Sequence, residues 1–423
     1  MAEQTTAVVP ADVPTIDGFD PLAQTFLRDP YVFFERARRE APVFFHPGPP
    51  MPFWVLTKYE DGAAMLGDPA TFSSKVLGRA QIPEEYRDTL PPDYFAKIVK
   101  ALDPPEHTQV RRLQQKAFRR PRMEAMEEEV VRTAHDLIDD LLPRGKCDLL
   151  TEFARPMTLL TMLRTLGLPE DDLPAINQLG DDLLAIFTDG VNPMPDDVRR
   201  ATWQRFMRIS GQYADIVAAR AAQPPDSDVL AMLAQGTDAK GCPVRTHQEI
   251  GLDIITFLTA GMDTTSNLIC ETVKLLDEHP KQREELRENP ALIPQAVEEG
   301  LRRRQSSIGQ MRITTHEVEI RGQQIPAGSL VWGSLASANH DEDVFADPRR
   351  FDIHRANAKD HLGFAKATHF CVGAPLARLE VRIALQALLE RIPTLRVPVQ
   401  ELRYARTLGV VVNLLGMRVE WDV

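Results

Sequence analysis

Residues 361–380 read HLGFAKATHFCVGAPLARLE, and two of their side chains, Cys371 and His369, could take part in chemistry. Cys371 stands just before Gly373 and a segment with helical spacing, so its thiol lies where a helix begins. The free N–H groups and positive potential of a helix start favour a thiolate. Such a thiolate could be a nucleophile with His369 as its base, a redox sensor or an axial metal ligand. Taken alone, a single cysteine is more often a small buried apolar residue.

A second candidate group lies in the segment AGMDTT, residues 260–265. Gly261 inside a helix costs about 1 kcal/mol relative to alanine, which suggests a packing or cofactor reason for it. Asp263 beside Thr264 can hold a water molecule and relay protons. The alternative is an amphipathic helix that turns these polar side chains outward.

Two further patterns place charged side chains on one face of a helix. His107 and Arg111, four residues apart in DPPEHTQVRR, can bind anionic groups through charge-assisted hydrogen bonds. Glu299 and Arg302, three residues apart in EGLR, can form an ion pair. Each pattern alone is common on exposed helices, so neither specifies a site.

The elements that position these residues are mostly helical. Apolar residues at helical spacing predict helices over 124–142, 202–221, 247–278 and 375–392. Short strands are predicted at 53–56 and 318–320, and the turn residues at 322 and 326–328 indicate hairpins. Segments 76–105 and 188–197 are either lids over a site or ordinary surface connections. The sequence predicts a mainly α protein with a minor β part.

The composition argues against several classes of protein. A net charge of −12 over 423 residues disfavours general nucleic-acid binding. The four cysteines are far apart and form no CxxC pair, which disfavours iron–sulfur and structural zinc sites and a secreted disulfide scaffold. No signal peptide and no apolar run of transmembrane length is visible. We expect a cytoplasmic protein without membrane association, with a flexible N-terminus at 1–15 and one domain at 16–423.

A basic stretch interrupts this acidic background. Segment 109–122 contains no acid and carries Arg111, Arg112, Lys116, Arg119, Arg120 and Arg122. A solvated helix face explains these charges as well as a docking surface for an acidic partner does.

Taken together, the motifs resemble the cytochrome P-450 family over roughly residues 20–420. The cysteine loop, with Phe364 and His369 before Cys371 and with Gly373 and GAPLAR after it, is similar to the family's haem-ligand loop. AGMDTT, EGLR and DPPEHT follow the family's other motifs in the right order. The resemblance implies a mainly α fold with a small β-sheet region and haem b between the long distal helix and the helix after the cysteine loop.

The resemblance also implies a role for each matching residue. Cys371 becomes the thiolate ligand of the haem iron, flanked by Phe364 and Gly373. The haem propionates are expected to meet His107, Arg111, Arg312 and His369. Ala260 and Gly261 give oxygen room, while Asp263 and Thr264 deliver protons to it. A buried network joins Glu299 and Arg302 to either Arg350 or Arg355, between which the sequence does not choose.

Two alanines depart from the family pattern, which generally has glycine at the positions of Ala365 and Ala367. An alanine held at positive φ costs about 1 kcal/mol, and its methyl group presses on the cofactor side of the loop. We therefore expect an adjusted hairpin that still binds haem.

The implied activity is insertion of one atom of O2 into a small hydrophobic or aromatic substrate, by hydroxylation, demethylation or epoxidation. Electrons are expected from a ferredoxin and its ferredoxin reductase, and the chain is expected to be a monomer. Leu258, Ile308 and Val410 are expected to border the substrate. The alternatives are a peroxygenase driven by hydrogen peroxide, a non-enzymatic haem protein that binds ligands, and, more distantly, a cysteine hydrolase.

Overall fold

The central element of the protein is a 32-residue helix, α11, which runs from His247 to Glu278. Thr246 begins it with a capping box, because its side chain accepts from the Glu249 N–H while the Glu249 carboxylate accepts from the Thr246 N–H. Pro280 begins the next helix after His279. Most of α11 is buried, and helices on several sides pack against it. It therefore sets the frame on which the motif AGMDTT is held.

The computed structural model describes residues 13–48, 51–78, 81–171, 173–190, 193–224, 228–405 and 411–423. Within these ranges the α-helices are α1 Gln24–Arg28, α2 Tyr31–Glu40, α3 Tyr59–Gly67, α4 Glu106–Ala117, α5 Arg120–Glu124, α6 Glu127–Leu141, α7 Arg155–Leu166, α8 Leu173–Thr188, α9 Asp196–Ala221, α10 Val229–Ala234, α11 His247–Glu278, α12 Pro280–Glu288, α13 Ile293–Arg304, α14 Leu335–Ala338 and α15 Ala374–Arg391. The strands are β1 Val43–His46, β2 Phe53–Leu56, β3 Phe72–Ser73, β4 Lys146–Asp148, β5 Gln310–Thr314, β6 Val318–Ile320, β7 Gln323–Ile325, β8 Leu330–Gly333 and β9 Arg418–Glu420.

The strands form one five-stranded sheet and two small pairs. The larger sheet has the order β1-β2-β8-β5-β3, in which β2 and β8 run parallel and the other neighbours are antiparallel. β4 pairs with β9, and β6 pairs with β7. The buried side chains of the larger sheet divide between the main helical core and a smaller apolar cluster on its other face. The predicted mainly α fold with a minor β part is confirmed.

The predicted elements agree with the structure except at their ends. The strands at 53–56 and 318–320 and the helix at 247–278 are confirmed, and the helix predicted at 375–392 spans Ala374–Arg391. α9 begins six residues before its predicted start, where Asp196 and Asp197 favour the positive end of the helix. The helix predicted at 124–142 begins at Glu127, after the separate α5.

One of the predicted hairpins forms and the other does not. β6 and β7 pair through a turn with positive φ at Arg321 and Gly322. The turn at Pro326 to Gly328 leads instead into β8, which pairs with β2 and β5 in the larger sheet. The apolar residues Val331 and Trp332 of β8 are buried there, so burial decides the pairing.

The segment 76–105 consists largely of short 3-10 turns and is anchored by aromatic side chains. Tyr94 and Phe95 are each 1% exposed and pack against Trp203 and Phe206 of α9. The Tyr94 hydroxyl lies 2.9 Å from the hydroxyl of Ser210. These contacts tie the segment to α9. In the second candidate lid, Asp189 binds Arg199 of α9, and residues 191 and 192 lie outside the described ranges.

Candidate active site

The cysteine loop is a tight hairpin that keeps left-handed backbone at both alanines. Ala365 has φ 57° and Ala367 has φ 54°. The Cys371 N–H donates to the Phe364 carbonyl at 2.8 Å, and the Ala365 N–H donates to the Leu362 carbonyl at 2.8 Å. The two alanines thus adopt the left-handed backbone of the turn, and these hydrogen bonds hold them there. The loop therefore stores strain that glycine would not carry.

Cys371 stands at the end of this hairpin, directly before α15. Burial raises the pKa of its thiol, while the N–H groups of Gly373 and Ala374 and the guanidinium of Arg111 act in the opposite direction. The residue nevertheless remains solvent-accessible. Both observations fit a sulfur that is surrounded by protein atoms and borders an internal space. The helix start thus supports a thiolate as the sequence predicts, but burial outweighs it until a cation binds the sulfur.

A short stretch of α11 is also accessible, in the middle of an otherwise buried helix. Ala260 is exposed and Thr264, one turn further on, is partly exposed. Leu258 points to the other side of the helix, where it is 1% exposed in the main core. The face with Ala260 and Thr264 is therefore the face of α11 that borders a space.

Gly261 lies where α11 meets the Met162 side chain of α7. A Cβ atom at this position would lie 2.4 Å from the Met162 Cε. The Cε atom is the end of a flexible side chain, which can shift at little cost. Gly261 thus lies at the contact of α7 and α11, whereas the neighbouring Ala260 faces the accessible space.

Asp263 and Thr264 make separate hydrogen bonds. The Thr264 hydroxyl donates to the Ala260 carbonyl at 2.7 Å, and the Thr264 carbonyl accepts from the Ser306 hydroxyl at 3.0 Å. Asp263 is 9% exposed and accepts from Arg155 at 3.1 Å and from the Asn413 amide at 3.3 Å. The hydroxyl and the carboxylate share the helix without touching each other.

The pKa of Asp263 is raised to about 6, first of all by burial. The Arg155 guanidinium lowers it and the nearby Asp181 carboxylate raises it further. A carboxyl group with a pKa near the working pH can both release and take up a proton, which suits acid–base work.

A cluster of nitrogen-bearing side chains lies around Cys371. The His107 and His369 rings are 4.3 Å apart, and His369 Nε2 is 3.1 Å from the Ser74 hydroxyl. Arg111 donates to the Phe370 carbonyl, next to the cysteine. Arg312, on β5, is 2% exposed and donates to its neighbour's carbonyl. The structure thus brings together four residues from α4, β5 and the cysteine loop.

This cluster has more donors than acceptors. Among the described residues, His107 Nε2 and Arg111 Nε are buried without a hydrogen-bond partner. Burial and the surrounding cations lower the pKa of His107 to about 4 and that of His369 to about 3, and burial lowers the pKa of Arg312 to about 10. Burial is the first cause of each shift, and neighbouring cations add to it at the two histidines. The cluster fits a ligand with carboxylate groups.

The ion-pair network around Glu299 is complete and buried. Arg302 donates to both carboxylate oxygens of Glu299, at 2.7 and 2.8 Å, and neither side chain is exposed. Arg355 donates to Glu299 Oε1 at 3.2 Å. Arg350 contributes only its carbonyl, because its own side chain is 66% exposed and pairs with Asp352. Of the two alternatives, Arg355 occupies the third position.

Other predicted residues have more general surroundings. Phe364 is 9% exposed, and the Arg378 guanidinium lies 4.7 Å from its ring centre. A Cβ atom at Gly373 would lie 3.9 Å from the Cys371 Sγ, which is an ordinary contact. Ile308 is buried at 2% exposure, close to β5. Val410 lies outside the described residues.

Sequence reasoning missed two cations that meet the site. Arg155 reaches Asp263 from 108 positions earlier in the chain. Burial, together with the charge of Arg312, lowers the pKa of Lys100 to about 8, and Cys371 acts in the opposite direction. The only local signal of Arg155 was a charge at the start of the apolar α7. Lys100 was one of several charges in the segment 76–100 and had no distinguishing pattern.

The described residues contain neither a membrane-spanning helix nor a cluster of metal-binding side chains. Among the described residues no helix is long and apolar enough to span a membrane. Across the same ranges, no group of three or more His, Cys, Asp or Glu side chains is arranged to hold a metal ion. Cys371 is therefore a candidate metal ligand only as a single protein ligand, which suits an ion that already has others.

Comparisons with known proteins give a consistent result. The family model described as cytochrome P450 matches residues 28–393. Cyclomarin C epoxidase CymV of Salinispora arenicola (strain CNS-205) is 35% identical over 84% of this chain and 88% of its own. Cytochrome P450 monooxygenase PikC of Streptomyces venezuelae is 33% identical over 92% and 90%.

Solved structures are similar along nearly the whole chain. P450BioI, in complex with an acyl carrier protein ligated to hexadec-9Z-enoic acid, has a TM-score of 0.83 and 29% identity over 94% of this chain and 100% of its own. Cytochrome P450 CREJ, in complex with (4-ethylphenyl) dihydrogen phosphate, has a TM-score of 0.84 and 27% identity over 96% and 99%.

Proposed function

This chain belongs to the cytochrome P450 family, and from that premise we propose how its own residues divide the work of a haem-thiolate monooxygenase. The protein is an oxidoreductase with haem b as its cofactor and O2 as its co-substrate. It acts on small molecules. The assignment of individual residues, the electron donor and the substrate class are the subjects of the proposal.

In this proposal Cys371 would hold the haem iron through its sulfur. Three features support it: the hairpin that presents the sulfur, the N–H groups of Gly373 and Ala374 directed at it, and the solvent accessibility of the residue. Haem, when bound, supplies the activation of O2 and the transfer of one oxygen atom to the substrate. The chain supplies the thiolate, the hydrogen bonds that hold it and the walls that exclude water.

His107, Arg111, His369 and Arg312 hold the two propionates. The observation that carries the proposal is the surplus of donors at this cluster, where the buried His107 Nε2 and Arg111 Nε have no partner among the described residues. Two carboxylates would give these donors acceptors and would balance the positive charges of Arg111 and Arg312. The residues present therefore fit haem b.

Asp263 and Thr264 handle protons. Arg155 and Asn413 hold the Asp263 carboxylate at the edge of α11, and its pKa of about 6 lets it accept a proton from solvent. Thr264 presents a hydroxyl on the accessible face of the helix. Rotation of the hydroxyl away from the Ala260 carbonyl lets it donate into the space beside Ala260.

The substrate is a small hydrophobic or aromatic molecule that undergoes hydroxylation, demethylation or epoxidation. Ile308 contributes an apolar wall, and Tyr94 and Phe95 anchor the 76–105 segment to α9. CymV is by its name an epoxidase, which supports epoxidation as one of the candidate reactions.

A ferredoxin, reduced by its reductase, is the proposed electron donor. Arg112, Lys116 and Arg119 are exposed, and none of them forms a salt bridge within the described ranges. Phe370, which precedes Cys371, is 43% exposed and accepts from Arg111 through its carbonyl. A basic surface around an exposed aromatic ring close to the thiolate suits an acidic partner that carries single electrons. We also propose a monomeric, cytoplasmic protein with one domain over 16–423.

Isotope labelling tests the reaction type. The haem-loaded protein, a ferredoxin, its reductase and NADPH are incubated with ethylbenzene under ¹⁸O2. A monooxygenase gives 1-phenylethanol with one ¹⁸O atom. Unlabelled product from a reaction that runs on hydrogen peroxide alone would contradict the proposal and favour a peroxygenase.

A further inference from the structure

Lys100 is a cation of the active-site region that the assignments above leave unused. It lies in the 3-10 turn Val99–Ala101, which contacts the neighbouring turns Lys75–Gly78 and Tyr94–Lys97 as well as α4. Lys100 thus belongs to the segment that covers the site. Within the described part of the chain, its ammonium group has no hydrogen bond and no salt bridge.

Lys100 lies near charged residues of the site and contacts α4 through its own 3-10 turn. It is solvent-accessible, yet burial among protein atoms is the first cause of its lowered pKa. The charged groups it senses are Arg312 and Cys371, and Lys100 in turn lowers the pKa of His369. All three of these residues lie at the site described above.

The neighbouring acid does not neutralise Lys100. Asp103 accepts hydrogen bonds from the Ser73 hydroxyl and from the Ser74 N–H, the latter at 2.9 Å. Lys97, by contrast, lies on the same turn system and pairs with Asp93 and Glu106 at 3.4 and 3.5 Å. The two lysines therefore differ in their partners, because Lys97 forms salt bridges and Lys100 forms none within the described ranges.

The charges at the site indicate that the partner of Lys100 carries a single negative charge. The propionates carry two negative charges, and His107, Arg111, His369 and Arg312 already converge on them with more than enough donors. One monoanion is needed to balance Lys100. A lone cation in a partly desolvated space attracts a carboxylate much more strongly than a neutral group of the same shape.

We propose that Lys100 binds a carboxylate of the substrate, so that this enzyme acts on small organic acids with an apolar body. The inference rests on the proposed function, because it assigns the four other donors to the propionates. The chain around Lys100 is apolar, since Ile98 and Leu102 are buried at 7% and 5% exposure. Lys100 then fixes which end of the substrate lies away from the reacting carbon.

Ligand titrations test this pairing. The oxidised, haem-loaded protein is titrated with 4-ethylbenzoate and decanoate, each compared with its primary amide, and binding is followed by the haem absorption spectrum. We expect at least one carboxylate to bind at least tenfold more tightly than its amide. In Lys100→Met that ratio falls to within twofold while the amide affinity is unchanged. Lys100→Arg keeps the preference, and the control Lys97→Met behaves as the unmodified protein.

Three results would overturn the inference: equal binding of carboxylates and amides, no response to either carboxylate at millimolar concentration, or a preference that survives in Lys100→Met. Faster haem transfer from Lys100→Met to apomyoglobin would also overturn it, since Lys100 would then hold a propionate. A normal reduced carbon monoxide spectrum of the unmodified protein separates these outcomes from failure of the proposed function, because that spectrum depends on the thiolate and not on Lys100.

Discussion

Arg155 of α7 donates a hydrogen bond to the Asp263 carboxylate of α11 at 3.1 Å, and the two side chains are 21% and 12% exposed. Burial, together with the nearby Asp181 carboxylate, raises the pKa of Asp263, and Arg155 limits the rise so that the pKa is about 6. The pair therefore sets the protonation state of Asp263, which directly precedes Thr264 in α11. It also ties the two helices together near Gly261.

This pairing predicts a pH-dependent term in stability. Because the pKa of Asp263 in the folded state lies above its value of about 3.9 in the unfolded chain, the folded state binds more protons between these values. Stability from Asp263 is therefore present below about pH 4 and is lost as the pH rises through about 6. The whole loss amounts to about 3 kcal/mol, of which about 2 kcal/mol falls between pH 4 and pH 7.

Asp263→Asn removes this term. The difference in free energy of unfolding between the unmodified protein and Asp263→Asn should change by about 2 kcal/mol between pH 4 and pH 7, in favour of the variant at the higher pH. Urea unfolding of the haem-loaded proteins at several pH values measures it. A difference that is constant with pH would show that Asp263 has an ordinary pKa.

The alanines of the cysteine loop predict a gain in stability on substitution. Ala365→Gly and Ala367→Gly relieve the cost of left-handed backbone and should each stabilise the protein by about 0.5–1 kcal/mol. The helical control Ala377→Gly in α15 should destabilise it by about 1 kcal/mol. Thermal unfolding of the haem-loaded variants distinguishes the two signs. Destabilisation by all three substitutions would mean that the loop alanines are not strained.

Removal of the Thr264 hydroxyl should uncouple electron consumption from product formation. Thr264→Ala removes the hydroxyl on the accessible face of α11, so several-fold more of the consumed electrons should appear as hydrogen peroxide, while Thr264→Ser retains most of the coupling. Thr272 bonds its own helix in the same way two turns later, and Thr272→Ala should leave coupling unchanged. Product and peroxide are measured against NADPH consumed. Unchanged coupling in Thr264→Ala would contradict its role.

The Glu299 network predicts unequal effects of two neighbouring arginines. Arg355→Ala leaves the buried Glu299 carboxylate without one of its donors and should cost about 3 kcal/mol and lower the haem content of the purified protein. Arg350→Ala removes an exposed side chain and should change stability by less than about 0.5 kcal/mol. Equal effects of the two substitutions would show that Arg355 is not the third member.

The basic surface predicts a salt-dependent defect. Arg112→Glu and Lys116→Glu should each raise the ferredoxin concentration needed for half-maximal reduction by roughly tenfold at low salt, with little effect at high salt. Arg120→Glu is the matched control, since Arg120 already pairs with Glu124 at 2.7 Å. Reduction kinetics with a ferredoxin series decide this. A defect that does not depend on salt would exclude electrostatic docking.

Features set by residues close together in sequence could be predicted, whereas contacts between distant segments could not. The strand Phe53–Leu56 and the helix His247–Glu278 were predictable because their apolar spacing and end residues are local. The grouping of His107 with His369 was accessible only through the family resemblance, since no spacing joins α4 to the cysteine loop. Arg155 at Asp263 and the choice of Arg355 over Arg350 depend on packing between distant segments, which no local pattern encodes.

The central claim is that Cys371 is bound to haem iron as a thiolate. The visible difference spectrum of the purified, dithionite-reduced protein with and without carbon monoxide tests it most directly. The account predicts a strongly red-shifted Soret band, and it predicts that Cys371→Ser abolishes this band, whereas the control Cys270→Ser, a buried cysteine of α11, retains it. A haem band without the shift in the unmodified protein, or no haem at all, would contradict the account.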